Sequence, residues 1–268
     1  MCGILGLVVD NAVGFGNSTR NQSETLSLVL DKLMVESTTR GSHSAGVAAV
    51  TKDFKVGMLK KPMPGRVFVN DDTYKEWKKD FINDNTRIVI GHTRAQTKGT
   101  YENNFNNHPI HNGLTIGVHN GMINNDEYLW TNAGNPLRRR GQVDSEVIFH
   151  LIDQFAQEGD YNITDAIYEA STRLVGSYAC AMFHMKKPKY LWLFQKGNAV
   201  YVYNTESTGF KIFASDERFI RDALGVIGMG LIHDRLMKIK YGFGLRIDAN
   251  SGKIKRIALN TRVHVGSF

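Results

Sequence analysis

Met1-Cys2-Gly3-Ile4-Leu5-Gly6-Leu7-Val8-Val9 opens the chain, and its reading decides the fold. Ile4 to Val9 is a short apolar run with β-branched side chains, and it reads as a buried strand. Such a strand carries Cys2 into the body of the protein. Methionine aminopeptidases remove Met1 when the next side chain is small, as that of Cys is. The product carries a thiol and a free α-amine on one residue. Their reference pKa values, about 8.5 and about 7.7–8.0, allow one to take a proton from the other near neutral pH. The plainer alternative is that Cys2 is a small hydrophobe near a terminus.

The chain has 268 residues, 42% hydrophobic and 22% charged, which suits one large globular domain or two small ones with a substantial core. The net charge is +7. The densest basic runs are Lys60-Lys61, Lys78-Lys79, Arg138-Arg139-Arg140 and Lys186-Lys187. None is interleaved with aromatics as a nucleic-acid groove would be, so a solvated basic face is expected. With only Cys2 and Cys180, no disulfide framework exists and a reducing, cytoplasmic location is expected. Cys180 lies in the apolar run Ser177 to Phe183 and reads as inert core. No signal-peptide pattern opens the chain and no stretch is long enough to span a membrane.

The pattern predicts a loop over 10–22 and a helix from Ser23 to about Glu36. It predicts a strand pair at 45–50 and 55–59, a helix over 72–82, and strands at 87–91 and 114–118. An amphipathic helix follows Asp144, with Val147, Ile148, Leu151, Ile152 and Phe155 at helical spacing. A second starts at Thr164. Strands are expected near 177–184, 190–196, 199–203 and 210–214, then a short helix at 216–224. Closing strands are expected at 227–232, 237–248 and 253–259. Strand blocks separated by a helix pair indicate α+β. No linker or repeat divides the chain, so a single domain over 2–268 is expected.

Three polar clusters stand where strands are expected to end: Gly91-His92-Thr93-Arg94-Ala95-Gln96-Thr97-Lys98-Gly99, His119-Asn120-Gly121-Met122-Ile123 and Asp144-Ser145-Glu146. Singly, each has an ordinary reading. Asn120-Gly121 is a strong hairpin-turn signal, Asp144 a helix N-cap, and Arg94 a surface charge. Together they supply complementary chemistry. Arg94 offers a planar fork for a carboxylate, and Asp144 a counter-charge for an ammonium. The Asn120 amide and the Gly121 N–H are donors suited to an oxyanion. An amino acid with an amide side chain would use all of them. His92, His108, His111 and His119 raise a metal alternative, but Pro109 interrupts the closest pair and no Cys or carboxylate completes a zinc set. No nucleotide-binding glycine pattern follows a strand.

Met1-Cys2-Gly3-Ile4, Arg40-Gly41-Ser42-His43-Ser44-Ala45-Gly46, Gly91 to Arg94, His119-Asn120-Gly121 and Val143-Asp144-Ser145-Glu146 occur in one order along the chain. In that order they resemble class II glutamine amidotransferase domains, which are N-terminal-nucleophile (Ntn) hydrolases. The pattern is most similar to the glutaminase domain of glucosamine-6-phosphate synthase. The resemblance extends from Cys2 to Asp216-Glu217-Arg218. It implies a four-layer α-β-β-α sandwich of mainly antiparallel sheets. It further implies Cys2 as nucleophile with its α-amine as base, Asn120 and Gly121 as oxyanion hole, and Arg94, Asp144 and Thr97 as substrate contacts.

The chain departs from that pattern where Ala95 replaces Trp, Lys98 replaces His, and His43 stands where Asp is usual. Lys98 is expected to add charge near the substrate carboxylate. No synthase domain is recognisable. The expected function is therefore a glutaminase with no cofactor and no metal. Its partners would be L-glutamine, a separate ammonia-accepting synthase subunit and a second copy in a homo-oligomer, with neither membrane nor nucleic acid involved. The alternatives are a non-catalytic regulatory module of the same fold and an Ntn hydrolase of another amide.

Overall fold

Strand β1 (Gly3–Val9) is buried along its whole length. Its alternate side chains face different layers: Leu5, Leu7 and Val9 join one apolar cluster, Ile4 and Val8 another. A strand buried on both faces lacks polar alternation, which is why the opening of the sequence reads as a continuous apolar run. The computed structural model describes residues 2–10, 21–111, 113–132, 139–205 and 208–261.

The first sheet runs in the order β11 (Leu236–Lys238), β9 (Tyr201–Asn204), β10 (Phe210–Ala214), β1, β4 (Thr86–Arg94), β2 (Ser44–Thr51), β3 (Val56–Lys61). The second runs β13 (Ile254–Ala258), β12 (Phe243–Asp248), β8 (Tyr190–Lys196), β7 (Gly176–His184), β6 (Thr115–Ile123), β5 (Ile110–His111). The paired strands are antiparallel throughout.

Helices α1 (Gln22–Ser37), α2 (Gly65–Phe68), α3 (Asp72–Phe81) and α7 (Glu217–Gly225) contribute to the apolar cluster on the outer face of the first sheet. Helices α4 (Asp126–Asn132), α5 (Ser145–Glu158) and α6 (Ile163–Arg173) do so on the second. A third cluster, with Ile4, Val8, Ile90, Val118, Ala181 and Phe213, fills the space between the sheets. Three buried clusters between four layers make the α-β-β-α sandwich.

Most expected elements are present within a residue or two. The loop expected over 10–22 falls largely on 11–20, outside the described residues. Residues 227–232 form no strand; the chain turns there after α7. The single strand expected over 237–248 is two strands in different sheets, β11 and β12. Between them Gly242 takes φ +76°, a left-handed conformation that lets the chain cross from one sheet to the other. Among the described residues no helix is long and apolar enough to cross a membrane.

Candidate active site

The second polar cluster lies inside a strand, and the first begins inside one and runs beyond its end at Arg94. β4 continues through His92, Thr93 and Arg94, and β6 through His119, Asn120, Gly121 and Ile123. Asn120 pairs with Ala179 and Gly121 with Tyr178 in the β6–β7 ladder, so the hairpin turn that Asn120-Gly121 would signal on its own is absent. Glycine is nonetheless required at 121. Its φ is +148°, and a Cβ there would fall 2.0 Å from the Ser177 carbonyl oxygen. The polar residues interrupt no strand because the ladder satisfies their backbones while their side chains meet between the sheets.

β1 and β6 belong to different sheets, and Cys2 and Asn120 join them. The Cys2 backbone nitrogen donates to Asn120 Oδ1 at 3.1 Å. Asn120 is buried, and its Nδ2 has no partner among the described residues. An unpaired buried amide donor is costly, so its presence beside a thiol is informative. The thiol sits against the Ala95 backbone: Ala95 N–H donates to Sγ at 3.4 Å, and Sγ lies 3.5 Å from the Ala95 carbonyl. Burial pushes the thiol pKa up, while the Ala95 N–H and the charge of Arg94 oppose that rise. Arg40, in the first motif after the strand, donates from Nε to the Cys2 carbonyl at 3.0 Å. On the other side of Ile4, Ser215 Oγ accepts from the Ile4 N–H at 3.2 Å.

Arg94 is buried, and burial lowers its pKa while Cys2 and Asp144 oppose that fall. Its guanidinium donates to Asn107 Oδ1 at 3.1 Å and to the carbonyls of Lys98 at 2.6 Å and Gly99 at 2.7 Å. Asp144 stands at the N-cap position of α5, yet its side chain makes no capping bond. Oδ2 instead accepts from the Ile123 N–H at 2.7 Å, fixing the carboxylate to the end of β6. Thr97 and Asp144 share a cleft of about 290 Å³ with Lys98, Met122, Ile123, Asn124 and Asp126. A larger cleft of about 420 Å³, between Arg40 and α7, is lined by none of the expected substrate contacts.

Lys98, at the wall of the cleft that holds Thr97 and Asp144, is ion-paired. Its ammonium is 2.6 Å from Asp126 and 2.8 Å from Glu127. Arg139 binds the same two carboxylates at 3.2 and 2.8 Å. The extra cation is therefore spent within a four-charge network on the first turn of α4. His43 Nδ1 accepts from the Gln96 N–H at 3.0 Å, and its ring stacks on Tyr101. His43 thus holds Gln96 and Tyr101 of the segment after β4.

Three of the histidines form a buried ring cluster. His92, His108 and His119 pack ring to ring between the sheets, with centroids 4.1 and 6.4 Å apart. His92 Nε2 lies 2.9 Å from the His119 carbonyl. Burial pushes the His92 pKa down to about 3 and lowers those of His108 and His119. His111 is apart, with Nε2 2.9 Å from the Gly113 carbonyl. Among the described residues no group of three or more His, Cys, Asp or Glu is arranged to hold a metal ion. Arg40, Asn107 and Asp126 carry no assigned role in the sequence reading. Arg40 alone had a signal there, its place in the Arg-Gly motif.

Residues 92–222 match the model of a family described as "Glutamine amidotransferase domain". Glutamine–fructose-6-phosphate aminotransferase [isomerizing] of Thermotoga maritima is 33% identical over 236 residues, covering 84% of this chain and 34% of that protein. The chain thus spans about a third of the length of the curated relatives it matches. A glutamine phosphoribosylpyrophosphate amidotransferase from B. subtilis, complexed with ADP and GMP, superposes with a TM-score of 0.65 at 20% identity, covering 98% of this chain and 50% of that one. A structure described as the allosteric regulatory enzyme of purine biosynthesis gives 0.67 at 20% identity with the same coverage. These two likenesses support the sandwich fold.

Proposed function

This chain belongs to the class II glutamine amidotransferase domains, and on that premise we propose that it hydrolyses the side-chain amide of L-glutamine through a thioester on Cys2. The observation that carries the reading is the buried Asn120 amide, whose Oδ1 accepts from the Cys2 backbone nitrogen and whose Nδ2 has no partner among the described residues. Removal of Met1 turns that nitrogen into the α-amine. Asn120 then holds the amine through Oδ1 and keeps Nδ2 for the oxyanion.

The thiol attacks the amide carbon and the α-amine takes its proton. The negative charge on the former carbonyl oxygen is met by Asn120 Nδ2 and the Gly121 N–H. Each such donor is worth about 2.7–4 kcal/mol of barrier. The intermediate collapses, the C–N bond breaks, and the amine returns the proton to the departing ammonia. Water then adds to the thioester with the amine again as base, releasing glutamate and restoring the thiol. Because burial raises the thiol pKa, little thiolate exists at rest, and a base on the same residue supplies it when substrate is bound. Arg94 receives the α-carboxylate, Asp144 the α-ammonium, and Thr97 adds a contact at the cleft wall. Residues 2–268 act as one glutaminase domain.

Ammonia passes to an acceptor enzyme on another protein, and the chain assembles with a second copy of itself. Two free thiols suit a reducing cytoplasm. Intact-mass analysis with a glutamine-analogue electrophile tests the core of the proposal. The wild-type protein should lack Met1 and gain one adduct, and Cys2→Ala should gain none while releasing no ammonia. Ammonia release by Cys2→Ala at the wild-type rate would sink it.

A further inference from the structure

The guanidinium that would receive the substrate carboxylate is itself held by a chain of groups starting at Lys60 on β3. The Lys60 ammonium donates to the carbonyl oxygens of Asn107 at 2.7 Å and Pro109 at 3.0 Å. The Lys60 carbonyl accepts from Asn104 Nδ2 at 2.8 Å. Asn107 is fully buried, and its Nδ2 donates to the Tyr101 carbonyl at 2.7 Å and to Asn104 Oδ1 at 3.1 Å. With its main chain held by Lys60 and its amide NH₂ held by Tyr101 and Asn104, Asn107 can present only Oδ1 to Arg94.

We propose that Lys60 is a positioning residue for amino-acid binding, acting through Asn107 to fix the Arg94 guanidinium; this rests on the glutaminase reading above. Three observations support the assignment. Lys60 makes no ion pair within 4 Å among the described residues, so its ammonium serves backbone carbonyls rather than a counter-ion. Burial brings its pKa down to about 8, with Glu146 opposing and Arg140 and Arg94 adding to the fall, which marks a cation kept at an electrostatic cost. The other bonds of Arg94 go to the carbonyls of Lys98 and Gly99, in the loop that Lys98 ties to α4. Asn107 is therefore the side-chain partner that orients one edge of the fork. A guanidinium aimed in advance loses less freedom when it binds a carboxylate.

The experiment compares two thiol reagents on purified full-length protein. A diazoketone analogue of glutamine carries the α-amino-acid head and so needs Arg94; iodoacetamide does not. Lys60→Met should slow labelling of Cys2 by the diazoketone about tenfold and raise KM for glutamine about tenfold, with kcat and the iodoacetamide rate changed by no more than about twofold. Asn107→Asp, close in shape but anionic, should act in the same direction by neutralising Arg94. It supplies the same comparison should Lys60→Met fail to fold. Unchanged diazoketone labelling in a folded variant overturns the proposal. So does an equal fall in both labelling rates, which marks a merely structural role. If the wild type itself is labelled by iodoacetamide but not by the diazoketone, the glutaminase reading fails instead.

Discussion

The backbone nitrogen of Cys2 and the side-chain oxygen of Asn120, 118 positions apart in sequence, lie 3.1 Å from each other. The bond crosses from the first sheet to the second at the end of β1. It places the Cys2 residue and a buried side-chain amide together across the two sheets. Replacing Asn120 by Ala should lower kcat by about 10²–10³ while changing KM far less, because the lost donor acts on charge that develops only after attack. Steady-state ammonia release checks it, and an equal loss in kcat and gain in KM would point to a ground-state role.

Asp144→Asn separates charge from geometry. An amide oxygen can still accept the Ile123 N–H that now binds Oδ2, so folding should survive. The counter-charge for the substrate ammonium is gone, and KM for glutamine should rise at least about tenfold. Substrates lacking the α-amine should be indifferent to the change, which a panel of amides would show.

Acid should destabilise the protein before its carboxylates titrate. His92, His108 and His119 are buried neutral, and all three pKa values lie below the ordinary 6.5. The unfolded chain binds protons below that pH and the folded one does not. Stability is therefore complete above pH 6.5 and falls as pH drops toward about 3, where His92 charges in the folded state. Each such histidine steepens the fall by up to about 1.4 kcal/mol per pH unit. His108→Leu should make the slope shallower by one proton between roughly pH 6.5 and 5. Denaturant melts across that range provide the measurement.

The Lys98 network should respond to salt. Lys98 is 42% exposed while Asp126 is 7% exposed, so the pair is neither fully screened nor fully buried. Lys98→Met should cost about 0.5–1 kcal/mol at low ionic strength, with Arg139 still neutralising Asp126. The difference from wild type should shrink toward about 1 M salt, where the screening length is short. A loss that persists unchanged in salt would mean packing rather than charge.

The family was legible because its signature is carried by residue identity in order: Cys2 after Met1, Arg94 after Gly91-His92-Thr93, Asn120-Gly121 and Asp144. Helices and central strands were legible because their apolar periodicity is set by burial. The same rule read β4 and β6 short: β4 runs on to Arg94 and β6 to Ile123, each ending within its polar cluster. Their burial between two sheets is not visible in either strand alone. Residues 237–248 misled differently, since one apolar stretch serves two sheets once Gly242 turns it.

By itself the sequence determined which chemical groups this protein holds and in what order: a second-position thiol, then a guanidinium, an amide and a carboxylate. Only the tertiary structure decided how they meet. Packing the two sheets brings Asn120 to Cys2, pairs Lys98 with Asp126 and Glu127, and sets Lys60 and Asn107 behind Arg94. Those partners lie on different strands and loops. Hydrogen bonds and ion pairs between distant segments depend on where the chain returns, which no local pattern encodes.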